Sequence, residues 1–180
     1  AEFLAGRLCA RAALIQLDSH AQAPALGEDR APIWPAGICG SITHSNGWAA
    51  AIVAEQQHWR GLGLDCETLL SNERARRLAE EILTPTELQR LAELPEAERA
   101  QQVTLTFSAK ESLFKALYPI VQKRFYFHDA ELMSGDSNGQ LQLRLLIDLS
   151  EEWRAGTILN GQYARLEHRS LSLLMVATLA

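Results

Sequence analysis

The chain has 180 residues, of which 47% are hydrophobic and 22% are charged, a composition typical of a soluble globular protein. Its net charge of −5 argues against a general nucleic-acid binder, and its longest apolar run, LSLLMVATLA, is too short to span a membrane. Three widely spaced cysteines (Cys9, Cys39 and Cys66) form neither a disulfide framework nor a metal knuckle, which predicts a cytoplasmic protein.

The first half of the chain begins with a helical pattern and continues with strands. Apolar residues at helical spacing predict a helix over residues 1–17, and the proline-rich segment 23–37 predicts an irregular loop. The runs ICGSITHS and WAAAIVAE then predict two strands joined by Asn46-Gly47, a dipeptide favoured in tight hairpin turns. GLGLDCE follows as a third short strand.

Helical signals dominate the middle of the chain, and strand patterns return after it. Ser71 or Asn72 caps one predicted helix, and Thr84 starts the next with a capping box. Residues 96–118 predict a long helix that Pro119 closes. The runs FYFHDAELM, GQLQLRLLID and GQYARLEHRSLSLLMVATLA are strand-like. The order of strands, helices and strands predicts an α+β fold.

Two carboxylates lie at the end of the GLGLDCE strand. Because successive side chains alternate between faces, Asp65 and Glu67 share one face with Gly61 and Gly63, separated by one pleat of about 6.5–7 Å. Such a pair suits a hard cation, which prefers oxygen ligands. The alternative is that the strand ends at Leu64 and that both acids face solvent.

Polar residues before the hairpin turn form a second candidate site. Thr43 and His44 offer a hydroxyl and an imidazole beside turn amides, a set that can bind phosphate. Arg7 and Arg30 add positive charge, on the first helix and in the proline-rich loop. An ordinary surface hairpin and solvated arginines are the alternative.

The helical segment TFSAKESLFKAL carries a carboxylate where an apolar residue would pack better. At about 100° per residue, Glu111 shares a face with Lys115 and three aromatic residues, while the opposite face is also apolar. A carboxylate in a buried helix is costly unless it is paired or bound to metal. Glu111 could pair with Lys115 at i,i+4, or join Asp65 and Glu67 around a cation, with Lys110 and Lys115 placed for a phosphate.

Together these motifs resemble the 4′-phosphopantetheinyl transferases, specifically their two-lobed EntD/Sfp-like group. GLGLDCE matches the family's G-[IV/L]-D-x-E signature, and FSAKESLFK matches W-x-x-K-E-S-x-x-K, with Phe107 in place of Trp. ITHS, RAPIWP and AEFLAGR also resemble family segments, so the similarity covers essentially the whole chain. The family usually has further basic residues upstream, so we expect the first lobe to be truncated before Ala1.

The resemblance implies a fold and an activity. It implies two pseudo-symmetric lobes, 1–95 and 96–180, each a small, mainly antiparallel sheet packed on helices, with the active site at their interface. Such enzymes transfer the 4′-phosphopantetheine arm of coenzyme A to a serine of an apo acyl, peptidyl or aryl carrier protein and release 3′,5′-ADP. We therefore expect a monomeric cytoplasmic enzyme serving siderophore, fatty-acid or nonribosomal peptide biosynthesis.

The resemblance also implies roles for individual residues. Asp65, Glu67 and Glu111 would hold Mg²⁺, Glu111 would act as the general base, and Lys115 would neutralise the leaving 3′,5′-ADP. The implied contacts to coenzyme A are Arg7 with the 3′-phosphate, Arg30, Thr43 and His44 with its phosphates, and Lys110 with the nucleotide.

Two other functions fit the same residues. One is a Mg²⁺-dependent phosphoesterase that would direct water to the phosphorus of coenzyme A and need no carrier. The other is a non-catalytic module that would bind coenzyme A or a carrier protein.

Overall fold

Three antiparallel sheets and four α-helices make up the part of the chain, residues 2–17, 22–28 and 31–178, that a computed structural model describes. The first elements are α1 (Glu2–Gln16), β1 (Ala25–Leu26), β2 (Pro32–Ile33), β3 (Ile38–Ser45), β4 (Trp48–Glu55) and β5 (Trp59–Thr68). The helices α2 (Asn72–Ile82), α3 (Pro85–Glu93) and α4 (Glu96–Val121) follow. The last elements are a 3₁₀ turn (Phe127–Asp129), β6 (Ala130–Gly135), β7 (Gln140–Leu145), β8 (Ile158–Leu166) and β9 (Arg169–Ala177). None of the helices within these ranges combines the length and the apolar character that crossing a bilayer requires.

The hairpin of β3 and β4 forms where the sequence predicts it. Asn46 and Gly47 both have positive φ, 47° and 81°, as the Asn-Gly dipeptide predicts for a two-residue turn. Helix α1 packs on this hairpin through side chains spaced three or four residues apart, including Ala10 and Leu14, which are fully buried. The predicted first helix is therefore confirmed, and it covers one face of the hairpin.

A five-stranded sheet with the order β5-β9-β8-β7-β6 forms the larger layer, and α4 packs across it. The main core lies between them and includes Leu113 and Leu117 of α4 and Leu143 of β7, all fully buried. The predicted α+β class with antiparallel sheets on helices is thus confirmed. Strand β5 belongs to the range 1–95 yet pairs with β9 of the range 96–180, so the two ranges share one sheet.

Glycines in β5 allow α4 to lie unusually close to the sheet. A Cβ atom on Gly63 would be 1.8 Å from the backbone oxygen of Ser112, and one on Gly61 would be 2.2 Å from that of Ala116. Buried hydroxyls also join α4 to the neighbouring strand β9, since Ser172 Oγ lies 2.7 Å from both Ser108 Oγ and Ser112 Oγ. Glycine is required here because the clash is with backbone, which cannot rotate away.

We expect Gly63→Ala to lower the free energy of unfolding by about 3 kcal/mol, because the added methyl group must push α4 away from β5. Urea denaturation measures the change. Gly135→Ala in the same sheet is the matched control, since its Cβ would be 3.4 Å from Leu105 Cδ2. Equal stabilities for the two variants would contradict this account of the close approach.

The predicted irregular loop 23–37 contains the short paired strands β1 and β2. Two boundaries that differ from the sequence prediction have a local cause. Helix α4 continues beyond Pro119 to Val121, because the Gln122 N–H still donates to the Tyr118 carbonyl at 2.9 Å on the far side of the proline. The strand predicted from Phe125 begins only at Ala130. Before it, the Asp129 carboxylate accepts a hydrogen bond from the Tyr126 N–H at 2.7 Å and bends the backbone into a 3₁₀ turn.

Candidate active site

A cleft of about 760 Å³ lies between α1, the 31–37 segment, β3 and the second half of α4. Its charged lining residues are Arg7, His44, Arg60, Glu111, Lys115 and Arg124. Its aromatic lining residues are Phe3, Trp34, Phe114 and Tyr118. Four arginine or lysine side chains and several aromatic rings on one concave surface favour a ligand that is both anionic and partly apolar.

The three predicted carboxylates lie in the region where β5 packs on α4. Asp65 is only 3% exposed, and its Oδ1 accepts a hydrogen bond from Lys115 Nζ at 2.7 Å. Its Oδ2 is buried without a hydrogen-bond partner. Lys115 therefore pairs across the interface with Asp65, and the alternative pairing with Glu111, four residues earlier, does not form.

Burial and electrostatic repulsion raise the pKa values of the other two acids, Glu67 and Glu111. Burial, with repulsion from Asp65 and Glu111, raises the pKa of Glu67 to about 7, against opposing attraction from Lys115 and Arg74. Burial and repulsion from Asp65 also raise the pKa of Glu111. Two acids whose charged forms are disfavoured by burial and by the neighbouring Asp65 are a fitting environment for a cation.

The donor set fits Mg²⁺ in its chemistry: carboxylate oxygens, one of them buried and unpartnered. Within the described residues, however, no three His, Cys, Asp or Glu side chains are drawn together tightly enough to hold a metal ion. The ammonium group of Lys115 is the cation that contacts Asp65. The assignment of Asp65, Glu67 and Glu111 as metal ligands stays a prediction.

Two of the predicted nucleotide contacts lie on the cleft wall. Arg7 is 8% exposed, donates to the backbone carbonyls of Pro24 and Ala25, and lies over the Phe3 ring at 5.0 Å. Burial lowers the pKa of Arg7. His44 is exposed at the end of β3. The structure thus brings Arg7, His44, Glu111 and Lys115 to one cavity.

Other predicted contacts lie elsewhere. Thr43 is 3% exposed, and its hydroxyl accepts a hydrogen bond from the Cys66 N–H at 3.0 Å, so it joins β3 to β5. The ammonium of Lys110 is buried and donates to Glu87 Oε2 at 2.6 Å and to the carbonyls of Ile82 and Phe127. Neither residue lines the cleft. Arg30 lies outside the described residues.

Two arginines on the cleft wall were not singled out from the sequence. Arg60 precedes the GLGLDCE motif and pairs with Glu152, with Nη2 and Oε2 2.9 Å apart. Arg124 follows α4 and lies 5.7 Å from the centre of the Tyr118 ring. No motif marks either residue, although both flank segments that carry one.

The raised pKa of Glu67 predicts a pH dependence of stability in metal-free protein. A carboxyl whose pKa is higher in the folded state binds more protons there, so the free energy of unfolding should fall as pH rises from about 4.5 to about 7. Glu111 acts in the same direction. Thermal melts in the presence of a chelator should show a smaller fall for Glu67→Gln than for the wild type. An identical pH dependence in both proteins would contradict the prediction.

The chain matches two known family descriptions and several individual proteins. Residues 1–54 match the 4′-phosphopantetheinyl transferase N-terminal domain, and residues 61–166 match the 4′-phosphopantetheinyl transferase superfamily. Enterobactin synthase component D of Escherichia coli K12 is 44% identical over 115 residues, 64% of this chain and 53% of that protein. The 4′-phosphopantetheinyl transferase Npt of Nocardia iowensis is 33% identical over 153 residues, 81% of this chain and 67% of that protein.

The length of the alignment and a match to a solved structure complete the comparison. The aligned region is about half the length of enterobactin synthase component D. The crystal structure of holo-ACP-synthase from Plasmodium yoelii shares the fold, with a TM-score of 0.51 and 18% identity over 68% of this chain and 98% of that chain. A superfamily match over more than half of the residues, together with the Npt alignment, shows the membership: the chain belongs to the 4′-phosphopantetheinyl transferase superfamily, in its EntD/Sfp-like group.

Proposed function

We propose that this chain transfers the 4′-phosphopantetheine arm of coenzyme A to a serine of an apo carrier protein and releases 3′,5′-ADP. The observation that carries the proposal is the position of Glu111 and Lys115 on the wall of the cleft, beside the buried Asp65. Family membership supports the reaction class. The cations and aromatic rings of the cleft suit a nucleotide with phosphates and a partly apolar arm.

The reaction is a displacement at the β-phosphorus of the pyrophosphate. A bond forms between the serine oxygen and phosphorus while the bond from phosphorus to the oxygen of 3′,5′-ADP breaks. Glu111 takes the serine proton, a role for which its raised pKa suits it, and a positioned base contributes about 10²–10⁴-fold. Lys115, which is partly exposed, reaches the cleft and neutralises the charge that develops on 3′,5′-ADP.

Mg²⁺ is the proposed cofactor: Asp65, Glu67 and Glu111 would hold it, and it would supply positive charge for the phosphoryl transfer. Arg7 and His44 are the proposed contacts to the phosphates of coenzyme A, Arg7 to the 3′-phosphate, because both line the cleft. Arg30 remains a proposed phosphate contact from the sequence pattern alone. Arg60 and Arg124 extend the set of cations that a nucleotide would meet.

Thr43 and Lys110 require a different assignment. Each already has buried hydrogen-bond partners, so we propose that Thr43 holds β3 against β5 and that Lys110 holds α4 against α3. Both residues then support the site without touching coenzyme A.

We also propose a more specific relative, a cellular location and an oligomeric state. The sequence motifs favour a protein similar to the pseudomonad carrier-protein transferase PcpS, acting as a cytoplasmic monomer on acyl, peptidyl or aryl carriers. The lobes 1–95 and 96–180 stay proposed units, with the cleft between α1, β3 and α4 at their junction.

One incubation tests the reaction. The chain, coenzyme A, Mg²⁺ and an apo carrier protein should give a carrier heavier by one phosphopantetheine group in an intact-mass measurement. A second incubation without carrier separates the alternatives. Release of phosphopantetheine there would indicate the phosphoesterase, whereas binding of coenzyme A with no product in either incubation would indicate a binding module.

A further inference from the structure

A carboxylate at the start of α1 contacts the hairpin that carries His44. Glu2 Oε1 accepts a hydrogen bond from the Gly47 N–H at 2.7 Å. Glu2 Oε2 lies 3.5 Å from Nδ1 of His44. One side chain therefore joins α1 both to the β3–β4 turn and to an imidazole on the cleft wall. Within the AEFLAGR segment, the sequence predicts a role for Arg7 and none for Glu2.

The neighbouring turn of α1 shapes the same site. A Cβ atom on Gly6 would be 2.7 Å from Ile42 Cγ2 and 3.8 Å from Cδ2 of His44. The absence of a side chain at Gly6 thus lets Ile42 of the hairpin approach the helix, while the imidazole lies at ordinary contact distance. Arg169 of β9 holds the other side of the turn through a hydrogen bond to the Asn46 carbonyl at 3.0 Å.

The contact with Glu2 has a chemical consequence for the imidazole. A carboxylate beside Nδ1 favours a proton on that nitrogen. A phosphate in the cleft would meet the other ring nitrogen, Nε2, from the opposite edge of the imidazole. Partners on both edges then hold the ring in one orientation.

We propose that Glu2 is a positioning residue for His44: it holds the imidazole in one orientation on the cleft wall and thereby strengthens the binding of a nucleotide phosphate. This inference rests on the proposed function, because it requires a phosphate ligand in the cleft. Glu2 acts through His44 and touches no reacting atom.

Other charged groups share the cavity with His44, and their contribution must be separated from that of Glu2. They are Arg7 from α1, Arg60 from β5, Glu111 and Lys115 from α4, and Arg124 after it. All of these remain in a Glu2 variant, so a double-mutant comparison isolates the effect that passes through His44.

The test measures the dissociation constants of 3′,5′-ADP and coenzyme A by calorimetry for the wild type, Glu2→Ala, Glu2→Gln, His44→Ala and the double variant Glu2→Ala/His44→Ala. We expect both Glu2 variants to weaken binding about three- to fivefold, the range of an exposed ion pair. Glu2→Gln keeps an oxygen that can accept the hydrogen bond from the Gly47 N–H. An equal loss of affinity in both variants therefore identifies the missing carboxylate contact with His44 as the cause. In the His44→Ala background, loss of Glu2 should have no further effect.

Steady-state transfer provides a second readout. The Glu2 variants should raise KM for coenzyme A and leave kcat close to that of the wild type, whereas a general loss of structure would lower both rate and stability. Glu55→Gln is the matched control, because Glu55 lies 3.8 Å from His58 in a similar exposed pair at the other end of the hairpin. This control should bind as the wild type does.

The outcomes separate the two proposals. Wild-type affinity in Glu2→Ala, or the same loss with and without His44, overturns the role of Glu2 while the proposed function stands. Failure of the wild type to bind either nucleotide overturns the proposed function and, with it, this inference.

Discussion

Glu111→Gln should slow the transfer by about two to four orders of magnitude while the protein keeps its fold. The glutamine side chain has nearly the same shape but cannot accept the serine proton, so we expect a loss of about 10²–10⁴-fold in kcat. Loss of a carboxylate that repels Asp65 and Glu67 should leave the metal-free protein equally stable or slightly more stable, because burial and repulsion already disfavour the charged form. Intact-mass measurement of an apo carrier protein follows the transfer, and thermal melts follow the fold.

Glu98→Gln is the matched control for this experiment, because Glu98 is exposed on the first turn of the same helix. It should transfer at the wild-type rate. Full activity in Glu111→Gln would remove Glu111 from the proton transfer. Loss of activity together with loss of the folded state would instead show that the side chain is needed for packing.

Lys110→Met should lower the free energy of unfolding by about 3–5 kcal/mol, the typical cost of removing one partner of a buried ion pair. Lys110 and Glu87 are 2% and 4% exposed and lie 2.6 Å apart. Glu87 also accepts hydrogen bonds from the backbone N–H groups of Thr84 and Leu132. Its carboxylate therefore joins α3, α4 and β6, and without the ammonium it is a buried, unbalanced charge.

Urea denaturation measures this prediction. The control is Lys123→Met, at an exposed lysine that donates to the backbone carbonyl of Asp148 at 2.6 Å. The double variant Lys110→Met/Glu87→Gln should recover part of the lost stability, because it removes both charges. If Lys110→Met were as stable as the wild type but bound coenzyme A weakly, Lys110 would be the nucleotide contact that the sequence motif implies.

Much of the local structure could be predicted because it depends on neighbouring residues in the chain. Thr84 and Glu87 form the predicted capping box, in which each side chain bonds to the backbone of the other residue. Asn46 and Gly47 form the predicted turn because both tolerate positive φ. Alternation along GLGLDCE correctly placed Gly61 and Gly63 on the face of Asp65, since that face packs on α4 and its Lys115.

The α+β class, the hairpin, the helix starts and the motifs that carry the acids can be predicted from the chain alone, because they depend on short-range spacing and backbone preference. Which charged side chains meet depends on how distant elements pack. Lys110 and Lys115 belong to one motif, yet they point in different directions around α4, so one is buried against Glu87 and the other reaches Asp65 at the cleft. Arg60 and Arg124 lie outside the motifs, and Glu2 lies in a segment where the sequence predicted a role only for Arg7. How these three residues reach the site or its supports depends on how distant elements pack.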